Sequence, residues 1–139
     1  MPGKQGFTKE EKAAMRERSR ELRSGEMVGE EAVRSKISEM SGTDRIIAER
    51  LHEIIRKHAP NLLPKLWYGM PAYANREGKI VCFFQNAGKF KSRYATLGFS
   101  DKAKLDQDSM WPTSFAITEI TETEERKIVD LIRKATNSS

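Results

Sequence analysis

The stretch Leu66–Tyr73, LWYGMPAY, marks the point where a helical first half of the chain gives way to a sheet. Before it, residues 44–58 carry apolar side chains at the spacing of an amphipathic helix. After it, Lys79–Gln85 (KIVCFFQ) is a continuous apolar run typical of a central strand. Inside the stretch, Leu66–Tyr68 predicts a short extended segment, and Gly69–Met70–Pro71 predicts a break in it.

On the N-terminal side of this stretch the sequence predicts three helices. A capping-box pattern of Thr8 and Glu11 starts the first. The predicted helices cover about Lys9–Ser24, Glu30–Met40 and Asp44–His58. The third has the clearest apolar face, formed by Ile47, Leu51, Ile54, Ile55 and His58.

On the C-terminal side the sequence predicts further strands and a last helix. Thr121 and Glu124 form a second capping-box pattern, which predicts the start of that helix. The predicted elements are strands at Arg93–Phe99 and Phe115–Ile120 and helices at about Asp101–Leu105 and Glu122–Ala135.

Strands that follow one another through short turns favour an α+β fold. We therefore predict a small antiparallel or mixed β-sheet, covered on one face by helices, with an N-terminal helical extension. The predicted division is a charged helical extension over residues 1–42 and an α+β domain over residues 43–136.

The composition limits the class of protein. A chain of 139 residues has room for one core, and its net charge of +5 favours anionic partners in general. Cys82 is the only cysteine, so no disulfide can form within the chain. The N-terminal residues hold no apolar run typical of a signal peptide. These features predict a cytoplasmic protein with no membrane association.

The segments LWYGMPAY, KIVCFFQ and GFSD (Gly98–Asp101) together resemble the YdhG-like bacterial family, whose function is unknown and which is compared with frataxin. The resemblance covers about Asp44–Ala135. It implies an α+β fold with helices on one side of a small sheet. One branch of that family is described as a frataxin-like intracellular iron chaperone, so the resemblance also implies iron as a possible cargo.

The aromatic residues of LWYGMPAY are the first candidate site. Trp67, Tyr68 and Tyr73 surround Gly69 and Pro71, where the backbone is sharply constrained. Such a break can hold rings around a pocket, but the same rings can simply fill the core. The candidate ligand-binding residues of this segment are Trp67, Tyr68, Met70 and Tyr73.

Basic residues form the second candidate site. Between Arg56 and Arg93 the chain has eight Lys or Arg residues against the single acidic residue Glu77. On an extended chain, Lys89, Lys91 and Arg93 would point to one side and suit a phosphate or carboxylate. The alternative is a solvated edge strand that lysines protect from aggregation. Nucleic acid is not an expected partner, because no binding signature for it is present.

Metal binding is the third candidate. Glu49 and His52 form an E-x-x-H pair on the third predicted helix, and Glu53 is adjacent. Di-iron sites use two such pairs with further carboxylates, whereas this chain has one. The predicted metal ligands are Glu49, His52 and Glu53, and the alternative is that they are structural. We predict no cofactor, apart from iron under this hypothesis.

Together these features favour a non-enzymatic binding module for a small anionic ligand or a protein partner. One alternative is a frataxin-like iron-binding chaperone. Another is an interaction protein that associates with itself through its charged N-terminal helices. The predicted oligomeric state is a monomer or a homodimer. Cys82 lies in an apolar run, which predicts a buried thiol rather than a nucleophile.

Overall fold

The computed structural model describes Lys9, Lys12 and residues 28–137. The helix predicted at about Lys9–Ser24 therefore lies almost entirely outside the described residues. The elements in chain order are α1 (residues 28–39), α2 (Gly42–His58), β1 (Leu63–Trp67), β2 (Met70–Ala74), β3 (Ile80–Gln85), α3 (Ala87–Phe90), β4 (Ala95–Phe99), β5 (Ser114–Ile117) and α4 (Glu122–Thr136).

The five strands form one sheet in the order β1-β2-β3-β4-β5. Each strand pairs antiparallel with the next one in the sequence, so every connection joins neighbours. Together with the helices, this confirms the predicted α+β fold with a small sheet covered on one face.

The core lies on one face of the sheet. Tyr73 on β2 is opposite Cys82 on β3, which is opposite Phe99 on β4. Directly paired residues point to the same face, and all three side chains are buried. Helices α1, α2 and α4 pack on this face. Their contributions to the core include Val33, Ile37, Ile47, Leu51, Ile54, Ile55, Ile128 and Ile132.

Helix α1 belongs to this core although its residues fall in the predicted extension. Val33 and Ile37, one turn apart, are both buried in the cluster that α2 and the sheet form. The described part of the extension is therefore packed against the domain. Whether residues 1–42 form a separate unit stays a prediction.

The starts of the two long helices differ in their capping. The capping box predicted for α4 is present: the Thr121 hydroxyl accepts from the Thr123 N–H, and the Thr121 N–H donates to Glu124 at 2.8 Å. At α2 the residue before the helix is Ser41, whose side chain makes no capping hydrogen bond.

The predicted break at Gly69–Met70–Pro71 is wrong in its extent, because Met70–Ala74 is the strand β2. Pro71 lies opposite Leu66, one position from the turn, where antiparallel pairing leaves a non-hydrogen-bonded pair. Its missing N–H therefore costs no bond to β1. Pairing with β3 begins one residue later, at Ala72.

The predicted extended run of basic residues over Lys89–Arg93 is also wrong. Ala87–Phe90 forms one helical turn, and Lys91 follows in the left-handed conformation with φ 52° and ψ 40°. The carboxylate of Asp44 on α2 accepts the N–H groups of Ala87 and Gly88, which fixes the start of this turn. A tertiary contact thus overrides the local alternation.

The other strands and the last helix appear with shifted ends. The short helix predicted at about Asp101–Leu105 is wrong, because the stretch contains turns. The hydroxyl of Ser100 accepts the N–H of Lys102 at 3.0 Å, a local bond that favours a turn over a helix.

Candidate functional site

The turn between β1 and β2 exposes aromatic side chains. Trp67 pairs with Met70, so Tyr68 and Gly69 are the central residues of a tight hairpin turn. Both have positive φ, 51° and 75°, as the type I′ turn requires. Glycine adopts this conformation freely, whereas for Tyr68 it costs about 1–2 kcal/mol. The turn thus holds Tyr68, whose residue is 80% exposed, in an unfavourable conformation.

Further aromatic surface lies on the sheet face opposite the core. Phe83 points to this face because it pairs with Ala72, the neighbour of a core-facing residue. Its ring centroid is 5.2 Å from that of Trp67, which is 5.0 Å from that of Tyr68. Gly98 makes room for the Phe83 ring, since a Cβ there would collide with it. We call Trp67, Tyr68 and Phe83 the aromatic ledge.

Lys89 is the basic residue that contacts the ledge. Its ammonium donates to the carbonyl oxygen of Tyr68 at 2.8 Å and lies 5.5 Å from the centroid of the Phe90 ring. An ammonium has three N–H groups, so this bond leaves two for an anion. Asp44 positions the short helix that carries Lys89 through its bonds of 2.9 Å and 2.8 Å to backbone N–H groups.

The predicted ligand-binding residues thus divide into two sets. Trp67, Tyr68 and Lys89 lie together at the turn. Met70 and Tyr73 are buried, Met70 beside the turn and Tyr73 on the core face. A ligand on the surface can reach the first set without any opening of the core.

Lys91 and Arg93 are exposed but are not placed at the ledge. Among the described residues, the ring contact of Arg93 is with Tyr94, 5.3 Å from the guanidinium carbon to the ring centroid. Because residues 87–91 are not extended, the three basic side chains do not form one row. Lys91 and Arg93 add positive charge to the same loop at longer range.

Tyr73 belongs instead to a buried cluster that joins three elements. Its hydroxyl is 2.7 Å from Nδ1 of His52 on α2. Nε2 of His52 is 2.7 Å from a carboxylate oxygen of Glu30 on α1. The other oxygen of Glu30 lies 3.4 Å from Arg56 and 3.6 Å from Arg34. We call Glu30, His52 and Tyr73 the buried triad.

Burial shifts the pKa values of His52 and Tyr73. Removal from water lowers the pKa of His52 below its usual value, although the Glu30 carboxylate acts in the opposite direction. In a neutral ring, a proton on Nε2, the nitrogen nearer Glu30, leaves Nδ1 to accept the Tyr73 hydroxyl. The Nε2–carboxylate distance makes this an electrostatic contact, although the atoms are not aligned as a hydrogen bond. Burial also raises the pKa of Tyr73 well above its usual value.

The core face offers no accessible nucleophile among the described residues. Cys82 is fully buried, and burial raises the pKa of its thiol to about 12. At neutral pH it stays a thiol, which is a poor nucleophile. The hydroxyl of Tyr73 is hydrogen-bonded to His52, and because Tyr73 is buried a substrate cannot reach it either. The triad therefore acts as a clamp between α1, α2 and the sheet.

The three predicted metal ligands line one cavity of about 170 Å³. Glu49 accepts a hydrogen bond from Arg45 at 2.7 Å, Glu53 lies 3.7 Å from Arg50, and both nitrogens of His52 face the other triad members. Within the described ranges, no group of three His, Cys, Asp or Glu side chains is placed to hold a metal ion. In this arrangement each of the three side chains already has a protein partner, and iron binding by them stays a prediction.

The structure adds partners that sequence reasoning missed. Phe83 lies in an apolar run that predicts a strand buried on both faces. Gly98, a glycine inside the next strand, is the sequence feature that could have predicted the close approach of a ring. Asp44 bonds to a helical turn 43 residues later, and no local pattern predicts that. No local pattern predicts the contact between Glu30 and His52 either.

No described helix is both long enough and apolar enough to cross a lipid bilayer. Three comparisons with known proteins, against family models, curated proteins and solved structures, gave no match.

Proposed function

We propose that this chain is a non-enzymatic binding module whose aromatic ledge and Lys89 hold a small anionic ligand that carries a flat ring. One observation carries the proposal: Tyr68 is exposed in a left-handed conformation while its carbonyl is bonded to the ammonium of Lys89. Backbone strain of this kind concentrates at ligand sites, where the surrounding structure maintains it.

The chemistry of the ledge suits two parts of one ligand. Exposed rings stack on a flat unsaturated ring, and each stacked base in a nucleic-acid complex contributes about 1–3 kcal/mol. A lysine ammonium binds phosphate or carboxylate through charge-assisted hydrogen bonds. A ligand with a ring and an anionic group would use both, whereas either part alone would use one.

Binding is favoured over catalysis by where the reactive groups lie. His52 and Cys82, the acid–base and nucleophile candidates, are buried on the core face. The ledge is on the other face of the same sheet. A ligand at the ledge would be held by packing and charge.

Titration with three matched probes, followed by calorimetry, tests this function. Adenosine monophosphate carries ring and phosphate, adenosine carries only the ring, and inorganic phosphate carries only the anion. We expect the monophosphate to bind at least about tenfold more tightly than either part, because stacking and charge add. Equal affinity for the monophosphate and phosphate would mean that the ledge does not contribute.

Variants locate the site. Trp67→Ala is expected to weaken binding of the monophosphate about tenfold by removing a stacking ring. Lys89→Gln is expected to weaken it while leaving adenosine binding unchanged. Lys79→Gln is the matched control, since Lys79 is an exposed lysine at the opposite end of the sheet from the turn. An equal effect of Lys79→Gln would show that net charge alone attracts the ligand.

Iron binding is the second candidate function, and the resemblance to YdhG-like proteins is its source. The observation in its favour is that Glu49, His52 and Glu53 line the same cavity. It requires the two glutamates to leave Arg45 and Arg50. Anaerobic calorimetry with ferrous iron tests it, and a Glu49→Gln chain that binds iron as tightly as the wild type would count against it.

Self-association through the N-terminal helices is the remaining alternative. Removing residues 1–42 would also remove Val33 and Ile37 from the core, so a truncated chain is a poor test. Sedimentation of the full chain over a range of concentrations is cleaner. A monomer at every concentration would contradict this alternative.

A further inference from the structure

The two edges of the sheet differ in how they are protected. On the β1 edge, Pro64 has no N–H to offer and Lys65 is exposed, and both features discourage strand pairing. Helix α1 also approaches this edge so closely that a Cβ at Gly29 would collide with the Pro64 carbonyl. A further strand therefore cannot add to β1.

Within residues 28–137, the β5 edge has none of these devices. Its four residues, Ser114–Ile117 (SFAI), include neither proline nor lysine. The carbonyl oxygen of Thr113, the residue just before β5, accepts the N–H of Phe99 at 2.8 Å. Thr113 and Phe99 therefore form a hydrogen-bonded pair that continues the pairing of β4 with β5. Because such positions alternate, Ser114 and Ala116 direct their N–H and C=O groups away from β4. In the part of the chain that the structure describes, no strand pairs with that side.

A cleft of about 470 Å³ lies between β5 and α4, next to this edge. Its volume falls within the range of roughly 300–1,000 Å³ that ligand pockets occupy. The larger apolar side chains that line it come from β4, β5 and α4. They are Leu97, Phe115, Ile117, Ile128 and Leu131. A strand added to β5 would direct every second side chain toward this cleft.

The end of the cleft beyond β5 is acidic, although the whole chain carries a net charge of +5. Glu119 lies two residues after the end of β5, and Glu122 and Glu124 lie in the first turn of α4. Bonds from Thr121 lower the pKa of Glu124, so it is ionised at neutral pH. Of the residues that the structure describes, Lys127 is the single basic one that lines the cleft. A partner with positive charge at this end would complement the negative charge of these glutamates.

We propose that the outer side of β5 is a docking edge for an extended apolar segment of a partner protein with basic residues at one end. The backbone of the segment pairs with Ser114 and Ala116. Alternate apolar side chains enter the cleft, and the basic end lies beside Glu119. This mode is strand addition, in which the main chain gives affinity and the side-chain pockets give specificity.

A synthetic peptide tests the docking edge. The probe has two arginines followed by alternating valine and threonine, with a fluorophore at the other end, and fluorescence anisotropy reports its binding to the full chain. We expect saturable binding, and at least about tenfold weaker binding when glutamates replace the arginines. No saturable binding, or equal binding of both peptides, would overturn the proposal.

Two variants with matched controls locate the peptide. Ala116→Pro removes an outward N–H and is tolerated at an edge, so we expect a loss of at least about tenfold in affinity with unchanged circular dichroism, and little loss for Ala116→Ser. Glu119→Lys should weaken binding, whereas Glu77→Lys, in the turn after β2, should not. If Ala116→Pro binds the peptide as the wild type does, the edge is not the site.

Sedimentation distinguishes the other occupants of this edge. If the wild type dimerises and Ala116→Pro is a monomer, a second copy of this chain fills the edge. That result would contradict the proposal that a segment of a partner protein binds there. The proposal does not depend on the aromatic ledge, because Trp67→Ala is expected to leave peptide affinity unchanged.

Discussion

The two halves of LWYGMPAY lie in opposite environments although they form one hairpin. The first half ends in the turn at Tyr68 and Gly69, where the side chain of Tyr68 projects into solvent. The second half forms β2, where Tyr73 is 1% exposed and bonded to His52. Tyrosine is the same residue type in both places, so the difference comes from the fold.

This difference separates what the segment does for stability from what it offers to a ligand. Tyr73 contributes packing and a buried hydrogen bond that holds α2 to the sheet. Tyr68 buries little surface and adopts a conformation that opposes folding. A residue that costs stability and stays exposed is better explained by binding than by packing.

The largest expected effect is at the buried half. Tyr73→Ala should lower the free energy of unfolding by about 3–5 kcal/mol, the usual cost of deleting a buried aromatic ring. Tyr68→Ala should change it by no more than about 0.5 kcal/mol, as at most surface sites. Urea unfolding followed by circular dichroism measures both.

Tyr73→Phe separates ring from hydroxyl in the same experiment. It keeps the packing but leaves Nδ1 of His52 buried without its partner, which should cost about 1–3 kcal/mol. If Tyr68→Ala proved as costly as Tyr73→Ala, both halves would be core and the comparison would fail.

The second effect is a pH dependence from the buried triad. The folded-state pKa of His52 is below 6.5, so the unfolded chain binds a proton more readily than the folded chain. The stability that His52 contributes is therefore complete above pH 6.5 and is lost as the pH falls through the folded pKa. One proton gives a slope of at most about 1.4 kcal/mol per pH unit.

Comparison with His52→Gln isolates this group from the carboxylates that also titrate. The charged groups that face His52 are Glu30, Arg34 and Arg56, and the variant keeps all three. The stability difference between wild type and variant, measured between about pH 8 and pH 5, should shrink as the pH falls. A difference that is constant over this range would show that His52 does not titrate as its burial requires.

The sequence predicted the parts of the fold that local spacing controls. The apolar face of α2, the strand at β3 and the capping box of α4 each follow from a period or a short motif, and each appears. The errors lie where a distant residue decides. At Ala87–Phe90 the carboxylate of Asp44 on α2 holds a helical turn, which overlaps the stretch Lys89–Arg93 that the alternation of basic residues suggested to be extended.

The candidate site was predicted only in part, because contacts between distant residues decide its arrangement too. Trp67 and Tyr68 stand out in the sequence as aromatics beside Gly69, and Lys89 as a basic residue. Their meeting depends on a hairpin turn and on a helix that lies between two strands. The sequence could not say which of the two tyrosines is buried, because that follows from the pairing register of β2 with β3.

The smallest effect sharpens the comparison most, because stability and binding should change in opposite directions. Tyr68→Gly removes the cost of a left-handed tyrosine, so the free energy of unfolding should rise by about 1 kcal/mol. The same change removes a ring of the ledge, so binding of adenosine monophosphate should weaken. Gly78, also at positive φ, offers the reverse control: Gly78→Tyr should lose stability without affecting binding. A Tyr68→Gly chain that is more stable and binds equally well would leave the strained turn without a functional reason.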